Sequence, residues 1–142
     1  MALVRIDGIN FTYAGAKKSA LINASLEINE GEYVLLTGAS GCGKTTLIRQ
    51  IKPELTPAGA RQGSIAYDGT AIEKLDTRRA AAEIGFVQQN PDNQIVTDYV
   101  WHELAFGLEC MGLSVGVIRR RVAEMAAFFG MESWFHAEKR DR

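Results

Sequence analysis

The chain has 142 residues, 46% of them hydrophobic and 23% charged, with 16 basic against 17 acidic side chains and a formal net charge of -1. That balance is that of an ordinary globular domain and gives no electrostatic case for a nucleic-acid or anionic-membrane surface, both of which need clustered positive charge, so an anionic ligand has to be held by local groups. Two cysteines, Cys42 and Cys110, are too few for a disulfide framework or a zinc knuckle, Arg5 and Asp7 interrupt the place where a signal peptide carries its apolar run, and no stretch of 18 apolar residues occurs, which together predict a reducing, cytoplasmic setting.

Residues 3–12 and 19–28 read as strands, the second placing Ile22, Ala24, Leu26 and Ile28 on one face, with Asn29-Glu30-Gly31 as a turn. Residues 33–37 are continuously apolar, as expected of a strand covered on both faces, and lead into a glycine-rich loop and a helix over residues 45–52. Pro53, Pro57 and Gly59 mark an irregular loop. A strand at 64–67 then ends in the tight turn Asp68-Gly69, and Asp76 is placed to cap a short helix ending at Ala82. A second buried strand is predicted at 84–87, followed by a polar, structure-breaking loop over 88–94, at the strand end where open α/β sheets bind ligands. The last third reads as helical. Asp98 is the predicted N-cap of a helix over 99–111, and Ser114 that of a second helix with an apolar stripe of Ile118, Val122, Met125 and Phe129, closed by Gly130.

Gly38-Ala39-Ser40-Gly41-Cys42-Gly43-Lys44-Thr45 fits the pattern G-x-x-x-x-G-K-[ST], with the strand before it and the helix after it that this phosphate-binding loop requires. Glycine at 38, 41 and 43 opens dihedrals closed to other residues and lets backbone N–H groups turn toward phosphate oxygens. The helix start points its partial positive end at the same anion. Lys44 can reach the β and γ phosphates, and the Thr45 hydroxyl is small enough to ligate Mg²⁺. The expected phosphate contacts are Gly38, Ser40, Gly41, Cys42, Gly43, Lys44, Thr45 and Thr46, with ATP and Mg²⁺ as the ligands. The structural alternative is a glycine-rich turn that binds nothing, and for Cys42 a small filler without redox chemistry.

A phosphate loop alone does not choose among transporters, kinases and GTPases. Phe11-Thr12-Tyr13, Ala20-Leu21, Ile28-Asn29-Glu30-Gly31-Glu32 and the loop itself, however, resemble in order the N-terminal half of an ATP-binding cassette (ABC) ATPase. Gly63-Ser64-Ile65-Ala66-Tyr67-Asp68-Gly69 and Ile84-Gly85-Phe86-Val87-Gln88-Gln89-Asn90-Pro91 resemble the strand, turn and Q-loop that follow. Residues 90–94 and Val100-Trp101-His102-Glu103-Leu104-Ala105-Phe106-Gly107-Leu108 are similar to the energy-coupling-factor branch, whose transporters import cobalt, nickel or vitamins.

The resemblance implies an α/β P-loop NTPase core with an N-terminal antiparallel β subdomain and a partial helical subdomain. It divides the 142 residues into a β-rich start and phosphate-loop strand (1–37), a nucleotide core up to the Q-loop (38–95) and the start of the helical subdomain (96–142). It also implies that Tyr13 stacks on adenine and that Gln89 approaches Mg²⁺ and reports nucleotide state to a transmembrane subunit, with a second ATPase domain as dimer partner, no nucleic acid, and a peripheral place on the cytoplasmic face of the membrane. An aromatic face suits stacking, and a neutral amide can touch metal without adding charge. The plain alternatives are a half-buried strand tyrosine and a loop-solvating glutamine. Gln88 is adjacent, and Gln89 is preferred because it directly precedes Asn90-Pro91.

Other features carry less. Tyr99, Trp101 and Phe106 read as core, although the family docks a coupling helix in that region, and Arg119, Arg120 and Arg121 read as a solvated helix face. His102-Glu103 lacks the second histidine of a zinc protease, and His136 lies in a charged tail. Absent are the Walker B strand with its catalytic glutamate, the Leu-Ser-Gly-Gly-Gln signature and the switch histidine. Residues 64–68 imitate Walker B, but Gly69 stands where the base is needed. The sequence therefore predicts a partial cassette, stopping before the signature, that binds ATP and hydrolyses it poorly. The apolar run at 33–37 is left without its neighbour, which favours self-association, strand exchange or rearrangement. A soluble ABC ATPase of DNA repair or translation, and a non-catalytic nucleotide-binding module, are the competing readings.

Overall fold

The computed structural model describes residues 2–134. The chain forms two compact units, Met1–Gly85 and Phe86–Arg142. The first is built on a four-stranded antiparallel sheet in the order β2-β1-β3-β4, with β1 at Ala2–Tyr13, β2 at Leu21–Asn29, β3 at Gly59–Tyr67 and β4 at Thr70–Ala71.

β1 carries its apolar residues at Val4, Ile6, Ile9 and Phe11, so the spacing of two is broken once, between 6 and 9. A strand with period two can keep all four on one face only by inserting a residue, and the ladder does so: Ile6 pairs with Leu26 but Ile9 with Ala24, and Asp7 pairs with Ser64 but Asn10 with Gln62. The extra residue falls at Gly8, in the left-handed region at φ 57°. β2 answers with an extra residue of its own at Asn23, φ 48°, between the pairs Ile9–Ala24 and Phe11–Leu21. Asn10 braces both, accepting from Asn23 N–H at 3.0 Å and donating to the Gly8 carbonyl at 3.1 Å, while Gly8 N–H donates to Ser25 Oγ at 2.9 Å.

All four β1 residues are thereby buried, with Leu21, Ile65 and Tyr67 from the flanking strands. Leu47 of α1 (Lys44–Arg49), Ile72, Leu75 and Ala80 of α2 (Thr77–Glu83) complete this core. The second bulge also changes the expected face of β2. Leu21 turns inward and Ile22 is 76% exposed, so the predicted set of Ile22, Ala24, Leu26 and Ile28 loses its first member.

Strand β3 begins at Gly59, earlier than predicted, because residues 59–62 pair with residues 10–13 of β1. Gly63 makes that pairing possible at the bulge: its φ is +95°, and a Cβ there would stand 2.6 Å from the carbonyl oxygens of Asp7 and Gly8. Asp68 and Gly69, both at positive φ, form the tight turn into β4, as the sequence indicated. Asp76 caps α2 as expected, its Oδ1 accepting from Arg79 N–H at 3.0 Å.

Two predicted strands do not form. Residues 33–37 run without ladder partners and leave Tyr33 92% exposed, and residues 84–87 are likewise outside the sheet. An apolar run becomes a strand only when another strand satisfies its N–H and C=O groups, and among the described residues no strand pairs with either run.

The second unit is a helical pair, α3 (Val100–Cys110) and α4 (Val115–Phe129), joined through Ala105, Ile118 and Val122 with Trp101, Leu104 and Leu108. Ile118 and Val122 are buried as predicted, but Met125 and Phe129 are exposed and Ala126 takes the buried position. The seam repeats every four residues, narrower than the predicted stripe. α4 ends at Gly130, φ 64°, with Met131 N–H donating to Ala126 O at 2.8 Å and Gly130 N–H to Ala127 O at 3.2 Å, a left-handed cap of the expected kind. At the start of α3 the cap position belongs to Tyr99 rather than Asp98. The Glu103 carboxylate reaches back instead, accepting from Val96 N–H, Thr97 N–H and the Thr97 hydroxyl at 2.9–3.0 Å. Ser114 holds the cap position of α4 without a side-chain bond. His136 lies outside the described residues.

Candidate functional site

The loop of residues 38–43 joins the unpaired run at 33–37 to α1. Its three glycines take φ of 148°, 79° and 98° at Gly38, Gly41 and Gly43. At Gly43 the space as well as the dihedral excludes a side chain, whereas at Gly38 only the movable Cys42 thiol stands in the way. A Cβ on Gly38 would stand 2.9 Å from Cys42 Sγ, and one on Gly43 would stand 2.8 Å from the Ala20 carbonyl oxygen and 2.9 Å from Leu21 Cδ2. Gly43 is therefore also where the loop meets the start of β2. Ser40, Gly41 and Cys42 are exposed along the loop.

Lys44, the first residue of α1, folds its ammonium over the loop, donating to Gly38 O at 2.7 Å and Ala39 O at 2.8 Å, with Cys42 Sγ at 3.6 Å. These are partners that an incoming phosphate can replace, since carbonyl dipoles hold an ammonium less strongly than anionic oxygens do. Thr45 is exposed on the first turn, whereas Thr46 is 7% exposed and faces inward. The Thr46 hydroxyl lies 2.7 Å from the hydroxyl of Tyr13, at the end of β1. The Tyr13 ring stands edge-on to Phe11, centroids 5.0 Å apart at 80°, and is 38% exposed.

The far end of α1 is tied down as well. Gln50, fully buried, accepts from Arg61 of β3 at 3.4 Å, and Arg61 also pairs with Glu73. Lys52 donates to the Ile84 carbonyl at 2.5 Å and to that of Ala80 at 3.3 Å, which fixes the end of α2 beside the same segment.

Gln89 belongs to the second unit, where it is exposed on the loop between Phe86 and Gln94. This loop is pinned by a residue that sequence reasoning missed. Gln94 Oε1 accepts from Gln88 N–H at 2.6 Å, and Gln94 Nε2 donates to Phe86 O at 2.9 Å. A single side-chain amide thus satisfies the two backbone groups flanking Val87, as a parallel neighbouring strand would. The Tyr13–Thr46 bond was missed too. Neither leaves a mark in one sequence, because each depends on which residues the turns bring together.

The family model described as ABC transporter matches residues 21–140. The chain belongs to the ABC transporter family.

Among relatives of this ABC chain, a putative ABC transporter ATP-binding protein of Bacillus cereus is 44% identical over 136 residues, 96% of the chain but 25% of the relative. The cobalt import ATP-binding protein CbiO of Syntrophus aciditrophicus is 36% identical over 93% of the chain and 46% of its own length. The energy-coupling factor transporter ATP-binding protein EcfA1 of Ligilactobacillus salivarius is 38% identical over the same shares. The ABC chain thus spans less than half the length of these curated relatives. Among solved structures, cbiO1 of Clostridium perfringens, part of the cbiONQ ABC transporter complex, superposes with a TM-score of 0.80 at 27% identity, covering 96% of this chain and 54% of that one. A dimeric ATP-binding cassette bound to ADP and Pi, at 24% identity and a TM-score of 0.77, shares the fold. The chain has the fold of a partial α/β ABC ATPase domain, with the antiparallel β subdomain and the helices that the sequence implied.

Proposed function

We propose that this chain is the ATP- and Mg²⁺-binding part of an ABC ATPase that drives import of a micronutrient, a metal ion or a vitamin. The observation that carries the reading is the Lys44 ammonium held over a loop whose three glycines all take positive φ and in which Gly43 is closed to a Cβ by the Ala20 carbonyl. In this reading Gly38, Ser40, Gly41, Cys42, Gly43, Lys44, Thr45 and Thr46 hold the phosphates, Thr45 and Gln89 serve Mg²⁺, and the free face of Tyr13 receives adenine. The bound cation supplies charge neutralisation at the phosphates. The protein's own contribution is to orient and neutralise. Lys44 exchanges carbonyl partners for β and γ oxygens, and the loop N–H groups close around the anion. Among the described residues no Asp or Glu bonds to this loop, and in this reading the chain binds ATP and turns it over poorly.

The micronutrient assignment is supported by the likeness to the cobalt import protein and the energy-coupling ATPase. The partners would be a transmembrane subunit and a second ATPase domain, with the chain peripheral on the cytoplasmic face. No helix among the described residues is long and apolar enough to cross a membrane. A cavity of about 460 Å³ in the second unit, lined by Ile95, Leu104 and Met131 with the carboxylates of Asp92, Asp98 and Glu103, offers the membrane subunit an apolar, acid-bordered seat next to the loop of Gln89. Within the chain, residues 1–37, 38–95 and 96–142 serve as β-rich start, nucleotide core and partner-facing helices.

Calorimetric titration with Mg-ATP tests the site. The wild-type chain should bind and Lys44→Ala should lose binding at least ten-fold, the effect of removing a charge-assisted bond worth roughly 1.5–3 kcal/mol. Equal affinity in the two would sink the assignment.

A further inference from the structure

The Tyr13 and Thr46 hydroxyls, 33 positions apart in sequence, share a hydrogen bond of 2.7 Å at the junction of β1 and α1. The contact is more than incidental packing. Thr46 is 7% exposed, and a buried threonine in a helix ordinarily returns its hydroxyl to the carbonyl four residues earlier. Here it is turned to Tyr13 instead. A hydroxyl has one proton and two lone pairs, so this bond leaves Thr46 Oγ1 capacity for a further partner while fixing the direction in which that capacity points. The tyrosine ring also makes the edge-on contact with Phe11. Its hydroxyl is therefore committed to α1 while part of the ring remains open to solvent.

We propose that the Tyr13 hydroxyl is a positioning group for the phosphate subsite. It orients Thr46 in the first turn of α1, so that the base platform and the phosphate cradle are set by one bond rather than independently. The inference rests on the reading of this loop as an ATP site and adds a role for Tyr13 that stacking alone does not contain. Stacking needs the ring. Positioning needs the oxygen, and it acts on ligands that have no base at all.

The two are separated by titrating the chain with Mg-ATP and with Mg-tripolyphosphate, which carries the phosphates only. Tyr13→Phe keeps the ring and should weaken both ligands by roughly two- to ten-fold, the loss of one neutral hydrogen bond. In a Thr46→Val background the same Tyr13→Phe change should cost nothing further. Unchanged tripolyphosphate affinity in Tyr13→Phe overturns the proposal, as does an equal loss with and without the Thr46 hydroxyl. Failure of the underlying reading looks different: the wild-type chain would bind neither ligand, or Lys44→Ala would bind both as well as wild type, and the proposal would fall with it.

Discussion

Gln94 bonds the backbone on both sides of Val87, taking the N–H of Gln88 at 2.6 Å and giving its own N–H to Phe86. The loop that holds Gln89 is thereby ordered by a side chain five residues further on. Gln94→Ala should expose the Gln88 amide to solvent and raise its hydrogen-exchange rate several-fold, a neutral bond being worth about 1 kcal/mol, while amides of β1 exchange as before. Protection unchanged at Gln88 would show that the loop is held otherwise.

Gly63 and Gly69 both have positive φ, at 95° and 71°, but only Gly63 is also crowded, against the carbonyls of Asp7 and Gly8. Gly69→Ala should cost about 1–2 kcal/mol for the left-handed dihedral alone. Gly63→Ala adds a backbone collision and should cost more, about 3 kcal/mol or above, or prevent folding. Urea unfolding of the two variants ranks them, and a smaller loss at position 63 would contradict the bulge geometry.

The first bulge and its partner on β2 decide which apolar residues matter. Phe11→Ala should destabilise by about 3–5 kcal/mol, since the ring is 1% exposed in the centre of the core. Ile22→Thr, at a position 76% exposed, should change stability by no more than about 0.5 kcal/mol. A large loss at Ile22 would mean that the simple alternation read from the sequence is the one in force.

Glu32 accepts from the backbone and side-chain amides of Asn29, at 2.7 and 3.3 Å, and the backbone bond is the main cause that lowers its pKa below 4.5. A carboxylate stabilised in the folded state contributes fully above its unfolded pKa and loses that contribution as pH falls through the lower folded value. The urea midpoint of the wild-type chain should therefore fall more between pH 5 and pH 3, about the normal titration range of a glutamate, than that of Glu32→Gln. Parallel acid limbs would remove Glu32 from the account.

Where local chemistry fixes the outcome, the sequence was readable. The loop glycines, the Asp68-Gly69 turn, the Asp76 cap and the Gly130 helix stop each follow from what one or two residues can do, and each stands where expected. The misreadings share a different cause. Residues 33–37 and 84–87 have strand composition, yet a strand is a relation between segments and neither run has its neighbour. Ile22 was assigned by parity, and parity is reset by Asn23, a residue whose left-handed turn is tolerated rather than announced. Met125 and Phe129 satisfy a helical stripe, but which part of a wide stripe is buried depends on the width of the opposing helix. In the candidate site the dihedrals of the loop glycines were legible, and the ties of Tyr13 to Thr46 and of Gln94 to Gln88 were not, because they join residues by geometry alone.

The register of β1 against β3 sets an order in time. Val4 pairs with Tyr67 and Tyr13 with Gly59, so the central strand of the sheet waits for residues made long after it, and the glycine loop with α1 lies in the stretch of chain between. On a ribosome adding about 5–20 residues each second, β1 and β2 can form a hairpin early, but the sheet that seats Leu47 under the loop closes only seconds later, once β3 has emerged. During that interval the loop sequence is already present without the framework that gives it a shape.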